Sequence, residues 1–208
     1  AAVLVLTGAG SLAPWRTTVA WAAEPTTPTA TDERAAQQAC AAPLTRGPGQ
    51  LEATGAASVD GTTPVPPPGP DAGPDAGLPT TLPPLAVLDV RGDGAMAVYQ
   101  DATWRVTCLL RRQDGAWVDQ GITVGPAAPA PGVVYAATTS WVGGDAVSYL
   151  GGAVPAGTTA VTFALDDGTT VRASLLGTSF AAWFPGERSI EPGSVVASGI
   201  DGVGAPLG

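Results

Sequence analysis

The longest clean alternation in the chain runs from Thr103 to Arg111. Trp104, Val106, Cys108 and Leu110 fall on one face of an extended strand, with Arg105, Thr107, Leu109 and Arg111 on the other. Shorter apolar runs predict strands over 85–90, 95–99, 116–119, 133–141, 146–150, 159–165, 169–175 and 178–184, with 194–198 as a closing edge strand. Turn signals separate them: Arg91-Gly-Asp-Gly94, Gln113-Asp-Gly115, and Asp166-Asp-Gly168, where Gly168 suits a positive φ. The first of these strands read as a four-strand meander with short turns. The pattern as a whole predicts a mainly β fold, a sandwich or partly closed barrel of antiparallel sheets with one short N-terminal helix.

That helix is predicted over 31–42. Thr31 suits the cap, Asp32 and Glu33 favour the positive end, and Pro43 is the expected stop. Ala36, Ala39 and Cys40 form its inward stripe, small enough for close approach to a sheet. Residues 1–30 read as an arm or membrane-proximal stalk in which Trp15 and Trp21 are candidate anchors. Residues 31–199 read as a single β-rich domain, and 200–208 as a tail. The segment 60–84 is a proline-rich insertion suited to polyproline II or disorder, not to a hydrogen-bonded ladder. The apolar start, 1–10, is too short for a span of about 20 residues. It reads either as an ordinary strand or as the outer end of a membrane helix or signal peptide.

Composition narrows the chemistry. The apolar positions are mostly alanine and valine, so the core is expected to be built from small side chains with the tryptophans as its largest members. Net charge is −9, and histidine, lysine and asparagine do not occur. Without histidine there is no imidazole base or His-containing zinc site, and without lysine no Schiff base or P-loop lysine. No metal or other cofactor is expected. Clustered cations, which nucleic-acid binding requires, are limited to Arg111-Arg112 with Arg105 nearby, so no nucleic acid is expected as a partner. Arg91-Gly92-Asp93 spells an integrin-type tripeptide but is read as turn chemistry, as are Asp166 and Asp167.

Cys40 and Cys108 are the only cysteines. Both fall on expected inward faces; two free thiols are the alternative, and a bridge between them, closing a loop that contains the proline-rich insertion, is the favoured reading. Chain entropy assigns such a loop about 4 kcal/mol, and persistence of the bridge requires an oxidising compartment. The expected location is therefore extracytoplasmic, secreted or membrane-anchored.

No catalytic residues are nominated and no enzyme is expected. A glycan-acting enzyme needs only two carboxylates, and Asp89, Asp101, Asp119, Asp145, Glu187 and Glu191 are the candidates, with no spacing that links any two. Trp141, Tyr149, Trp183 and Phe184 are the candidate partner or ligand surface, because they lie near strand ends or glycine-rich turns; core packing is the competing reading for each.

Several features together resemble uncharacterised exported or single-pass membrane proteins of high-GC actinobacteria. They are Leu12-Ala-Pro-Trp15, Ala20-Trp21-Ala22 before a Pro-Thr stalk, the helix ending in Cys40, Val90-Arg91-Gly92, the Cys108 strand, Gly152-Ala-Val-Pro155, Asp167-Gly168 and Phe180-Ala-Ala-Trp-Phe-Pro185. The resemblance implies an ectodomain just outside a membrane helix, with no catalytic residues to carry over. The expected function is non-catalytic interaction in the cell envelope, in sensing or envelope assembly, with a protein or an envelope glycan as partner and a membrane tether through the N-terminal segment. The alternatives are a structural subunit of an extracellular or virion-like assembly, and the glycan-acting enzyme.

Overall fold

The computed structural model describes residues 4–6, 21–45, 51–52, 79–127, 132, 134–140, 146–191, 193–199 and 204–207. Its elements are β1 (Leu4–Leu6), α1 (Ala30–Thr45), β2 (Leu51–Glu52), β3 (Leu85–Arg91), β4 (Gly94–Gln100), β5 (Trp104–Gln113), β6 (Ala116–Pro126) and β7 (Val134–Ser140). They continue with β8 (Ala146–Ala153), β9 (Ala160–Ala164), β10 (Thr170–Arg172), β11 (Ser174–Leu176), β12 (Ser179–Pro185), β13 (Val196–Ser198) and β14 (Gly204–Pro206). The fold is mainly β with one N-terminal helix. Its antiparallel sheets have the orders β2-β1-β6-β5-β4-β3, β11-β12-β8-β7 and β10-β9-β13-β14.

The sheets stack face to face, and the helix covers the outer face of the first. Alternation along the strands builds this stack. In β4, Ala95, Ala97 and Tyr99 face the helix, while Met96 and Val98 face the second sheet. In β12, Ala181 and Trp183 face the first sheet, while Phe180, Ala182 and Phe184 face the third. The first two sheets are thus covered on both faces. This is why their strands read as short apolar runs and not as strict alternation.

The meander β3-β4-β5-β6 is as expected, and its turns follow from their residues. At Asp114-Gly115 both central residues have positive φ (49° and 82°), the geometry that favours Asp-Gly in two-residue hairpins. At the β3–β4 turn the two loop residues are Gly92 and Asp93, with Gly92 at φ 58°. Gly94, expected in the turn, begins β4 instead. A Cβ there would lie 2.3 Å from Trp183 Cζ2, so the missing side chain makes room for the indole. Gly168 takes the expected positive φ, 79°, and its amide closes on the Leu165 carbonyl at 2.8 Å.

Other expectations are corrected. The helix cap is Thr29, not Thr31. Its hydroxyl accepts from the Asp32 amide at 3.1 Å, while the Asp32 carboxylate accepts from the Thr29 amide and hydroxyl, a reciprocal capping arrangement. These Thr29 hydrogen bonds hold the Asp32 carboxyl below its usual range. Pro43 does not stop the helix, which runs to Thr45. The run 169–175 is two strands, because the chain crosses from the third sheet to the second at buried Ala173. The expected edge strand at 194–198 lies inside its sheet, since residues 204–206, expected as tail, pair with it and Leu207 is buried.

Cys40 and Cys108 form a disulfide across 68 residues, with Cα atoms 6.0 Å apart. The bridge fastens the C-terminal half of α1 to the centre of β5, and Ala36 and Cys40 are fully buried against it. At the other end of the helix, Asp32 accepts from Arg112 Nη2 at 2.9 Å and Trp117 Nε1 at 3.2 Å. The helix is thus tied at both ends, which offsets the low intrinsic stability of a short helix.

Two substitutions test this packing. Gly94→Ala improves strand propensity yet forces a methyl into the Trp183 ring, so it should destabilise by about 2 kcal/mol in urea unfolding. Tyr99 has a buried hydroxyl without a hydrogen-bond partner among the described residues, and its pKa is raised by that burial and by Glu33. Tyr99→Phe should therefore unfold at the same or a higher urea midpoint.

Candidate functional site

Asp89 and Arg91 lie two residues apart on β3, so both point to the face that meets the second sheet, and both are 0% exposed. The guanidinium meets the carboxylate in two bonds, Nε to Oδ2 at 2.7 Å and Nη2 to Oδ1 at 3.1 Å. Its remaining donors go to backbone carbonyls: Nη1 to Ala22 (2.9 Å) and Ala23 (2.6 Å), and Nη2 to Arg172. All five N–H groups of Arg91 are used. Asp89 also accepts from Ser174 Oγ at 2.7 Å and the Trp183 amide at 3.2 Å, so each oxygen accepts two bonds. Burial holds the Asp89 carboxyl above its usual range, and Arg91, Ser174 and the Trp183 amide offset only part of that rise.

This pair docks the arm. Trp21 donates its indole N–H to the Trp183 carbonyl at 2.8 Å, and Arg91 Cζ lies 5.7 Å from the Trp21 ring centroid. The Ala23 carbonyl also accepts the Arg172 amide at 3.1 Å, and the Thr26 amide donates to the Val90 carbonyl at 2.8 Å. Trp21 is the anchor that the sequence suggested; Trp15 lies outside the described residues. Arg91 is buried, so the Arg-Gly-Asp tripeptide presents no exposed arginine.

Beyond Thr26 the arm leaves β3, and a cleft of about 530 Å³ opens between the two. Its walls include Glu24, Pro28, Glu33, Leu85, Arg172 and Leu176. The cleft lies where β3 ends the first sheet and β11 ends the second, so two strand edges reach it. Leu176 is 52% exposed, a large apolar side chain in water at its rim.

Three of the four residues expected to form a partner surface are buried. Tyr149 and Trp183 are buried between the first and second sheets, and Phe184 between the second and third. The reason is the double-sided burial of β8 and β12: a strand covered on both faces leaves no outward aromatic. Trp141 lies outside the described residues. Three of the nominated carboxylates serve separate structural partners. Asp89 serves Arg91, Asp101 caps the amides of Thr103 and Trp104 at 2.7 Å each, and Asp119 accepts from the Gly121 amide at 3.0 Å. Glu187 and Glu191 are exposed, and Asp145 lies outside the described residues. Asp166 and Asp167 bracket Arg188. Hydrogen bonds from Thr169 lower the Asp167 carboxyl to about 2.

The cleft carboxylates Glu24 and Glu33 and the rim residue Leu176 were not nominated from the sequence. Leu175-Leu176-Gly177 carried a signal, because adjacent leucines on a strand must face opposite ways. Among the described residues there is no group of three or more Cys, Asp or Glu placed to hold a metal, and no helix long and apolar enough to cross a membrane.

Removing one member of the buried pair should be costly. Arg91→Met is expected to lower unfolding free energy by about 3–5 kcal/mol. Adding Asp89→Leu should not restore it, because the carbonyls of Ala22, Ala23 and Arg172 lose their donor in both variants. Urea unfolding followed by tryptophan fluorescence measures both. No family model matches this chain, and neither the curated proteins nor the solved structures contain a significant match to it.

Proposed function

We propose that this chain is a non-catalytic, extracytoplasmic interaction module of the cell envelope, and that the cleft between the arm and the β3 and β11 edges takes an extended segment of a partner protein. The observation that carries this reading is the meeting of two strand edges with an exposed leucine in one cleft. Unpaired strand edges accept an added strand through main-chain hydrogen bonds, with alternate side chains entering apolar pockets. A peptide fits better than a glycan, because the cleft walls are aliphatic, prolyl and polar side chains with no aromatic ring for a sugar face. Placement outside the cytoplasm is supported by the Cys40–Cys108 bridge, since such bonds persist under oxidising conditions. The resemblance to exported and single-pass actinobacterial proteins agrees with that placement.

The test is selection of displayed peptides on the oxidised full chain, followed by affinity measurement on Leu176→Asp. Burying a leucine is worth about 1.5–3 kcal/mol, so selected peptides should bind the variant about tenfold more weakly or worse. Absence of any enriched extended, apolar sequence, or equal binding to the variant, would overturn the reading.

A further inference from the structure

The interface between the first and second sheets changes character across its width. On one side β3 and β4 pack against β11 and β12, with Val87, Met96, Val98, Ala181 and Trp183 between them. On the other side, where β5 and β6 face β7 and β8, polar side chains fill the space. Register explains which ones. Thr107 pairs with Thr123 and Arg105 with Gly125 across β5 and β6, so the face that holds buried Leu109 also holds Thr107, Thr123 and Arg105. In the facing sheet, Tyr135 pairs with Gly151 and Ala137 with Tyr149, which places both tyrosines on the same face.

The tyrosines are engaged. The Tyr135 hydroxyl bonds with Thr107 and the Tyr149 hydroxyl with Thr123. Burial pushes Tyr135 up to about 12 and raises Tyr149, so both phenols are neutral at ordinary pH. Arg105 differs. Its Cζ lies 3.6 Å from the Tyr135 ring centroid, a face-on stack, and the residue is half-buried. Arg91, Arg112 and Arg188 each hold an aspartate. Arg105 has no carboxylate and no hydrogen-bond acceptor among the described residues. Stacking uses the face of a guanidinium and leaves its N–H edge available, and that edge matches the two oxygens of a carboxylate, sulfate or phosphate. Gly125, its strand partner, has no side chain to cover it. A partly desolvated cation without a counter-charge is unfavourable, and a bound anion supplies one.

We propose that this wedge is an oxyanion-binding site, in which Tyr135 fixes the plane of Arg105 and the guanidinium edge takes a carboxylate, sulfate or phosphate group. The site is separate from the arm cleft and does not depend on it. The surrounding hydroxyls are paired with one another, Tyr135 with Thr107 and Tyr149 with Thr123, and no carboxylate among the described residues competes for Arg105.

The experiment is titration of the oxidised full chain with sodium phosphate, sodium sulfate and sodium glucuronate at constant ionic strength held with chloride. The Arg105 Nε–H resonance and the Thr107 and Gly125 amides are followed by NMR. A saturable shift of these signals is expected, and the anion that saturates first identifies the preferred source of the oxyanion. Arg105→Lys, which keeps the charge but loses the fork, should bind about fivefold more weakly or worse. Arg105→Gln should show no saturable response in the two amides. The proposal is overturned if none of the anions gives a saturable shift in the unaltered protein, or if either variant binds as well as the unaltered protein does. Should Arg105→Gln fail to fold, the lysine variant carries the test alone.

Discussion

Burying a guanidinium and a carboxylate removes two full charges from water, at a cost of several kcal/mol for each ion. The Asp89–Arg91 pair tolerates this because nothing in it is left over: five donors and both carboxylate oxygens are matched. The partners that complete the set come from every sheet and from the arm. Asp89 and Arg91 belong to β3, Ser174 and the Trp183 amide to the second sheet, the Arg172 carbonyl to the third, and the carbonyls of Ala22 and Ala23 to the arm. If any layer moved away, a buried charge would lose a partner. The arm is therefore part of the fold from Trp21 onward, and the cleft between it and β3 has a defined wall.

A second constraint is thickness. A stack of helix and three sheets has many internal faces to fill with few large residues. Alanine and glycine let neighbouring layers approach, and two aromatics are seated over positions that lack side chains. Trp183 lies against Gly94, and Tyr135 against Gly151, where a Cβ would be 2.4 Å from the Tyr135 hydroxyl. The helix approaches β5 and β6, and its small residues Ala36 and Cys40 share one core cluster with Ala95 and Ala97 of β4. Low charge content and an alanine-rich interior are two aspects of the same architecture.

Much of this was legible in the sequence. The meander, its Asp114-Gly115 turn, the hairpin at Gly168, the inward stripe of the helix and the bridge from Cys40 to Cys108 all follow from local residue chemistry. What was not legible depended on a second covered face. Alternation in β5 separates Cys108 from Arg105 and Leu109, but it does not say that the face with Leu109 is also buried. The same gap made Tyr149, Trp183 and Phe184 candidates for a surface. The Asp89–Arg91 spacing placed both charges on one face of β3 with Val87, yet the carbonyls that complete the set are distant in sequence. Pairing between β13 and β14 was hidden because a three-residue strand ending in proline resembles a tail.

The buried pair makes the arm and the sheets one cooperative unit. Native-state hydrogen exchange measures this most directly, at the amides of Thr26, Arg172 and Trp183, which bond respectively to Val90, Ala23 and Asp89. All three should exchange with the same free energy, equal to that of global unfolding. Exchange of Thr26 and Arg172 at markedly lower free energy than Trp183 would show an arm that opens on its own, and would contradict it.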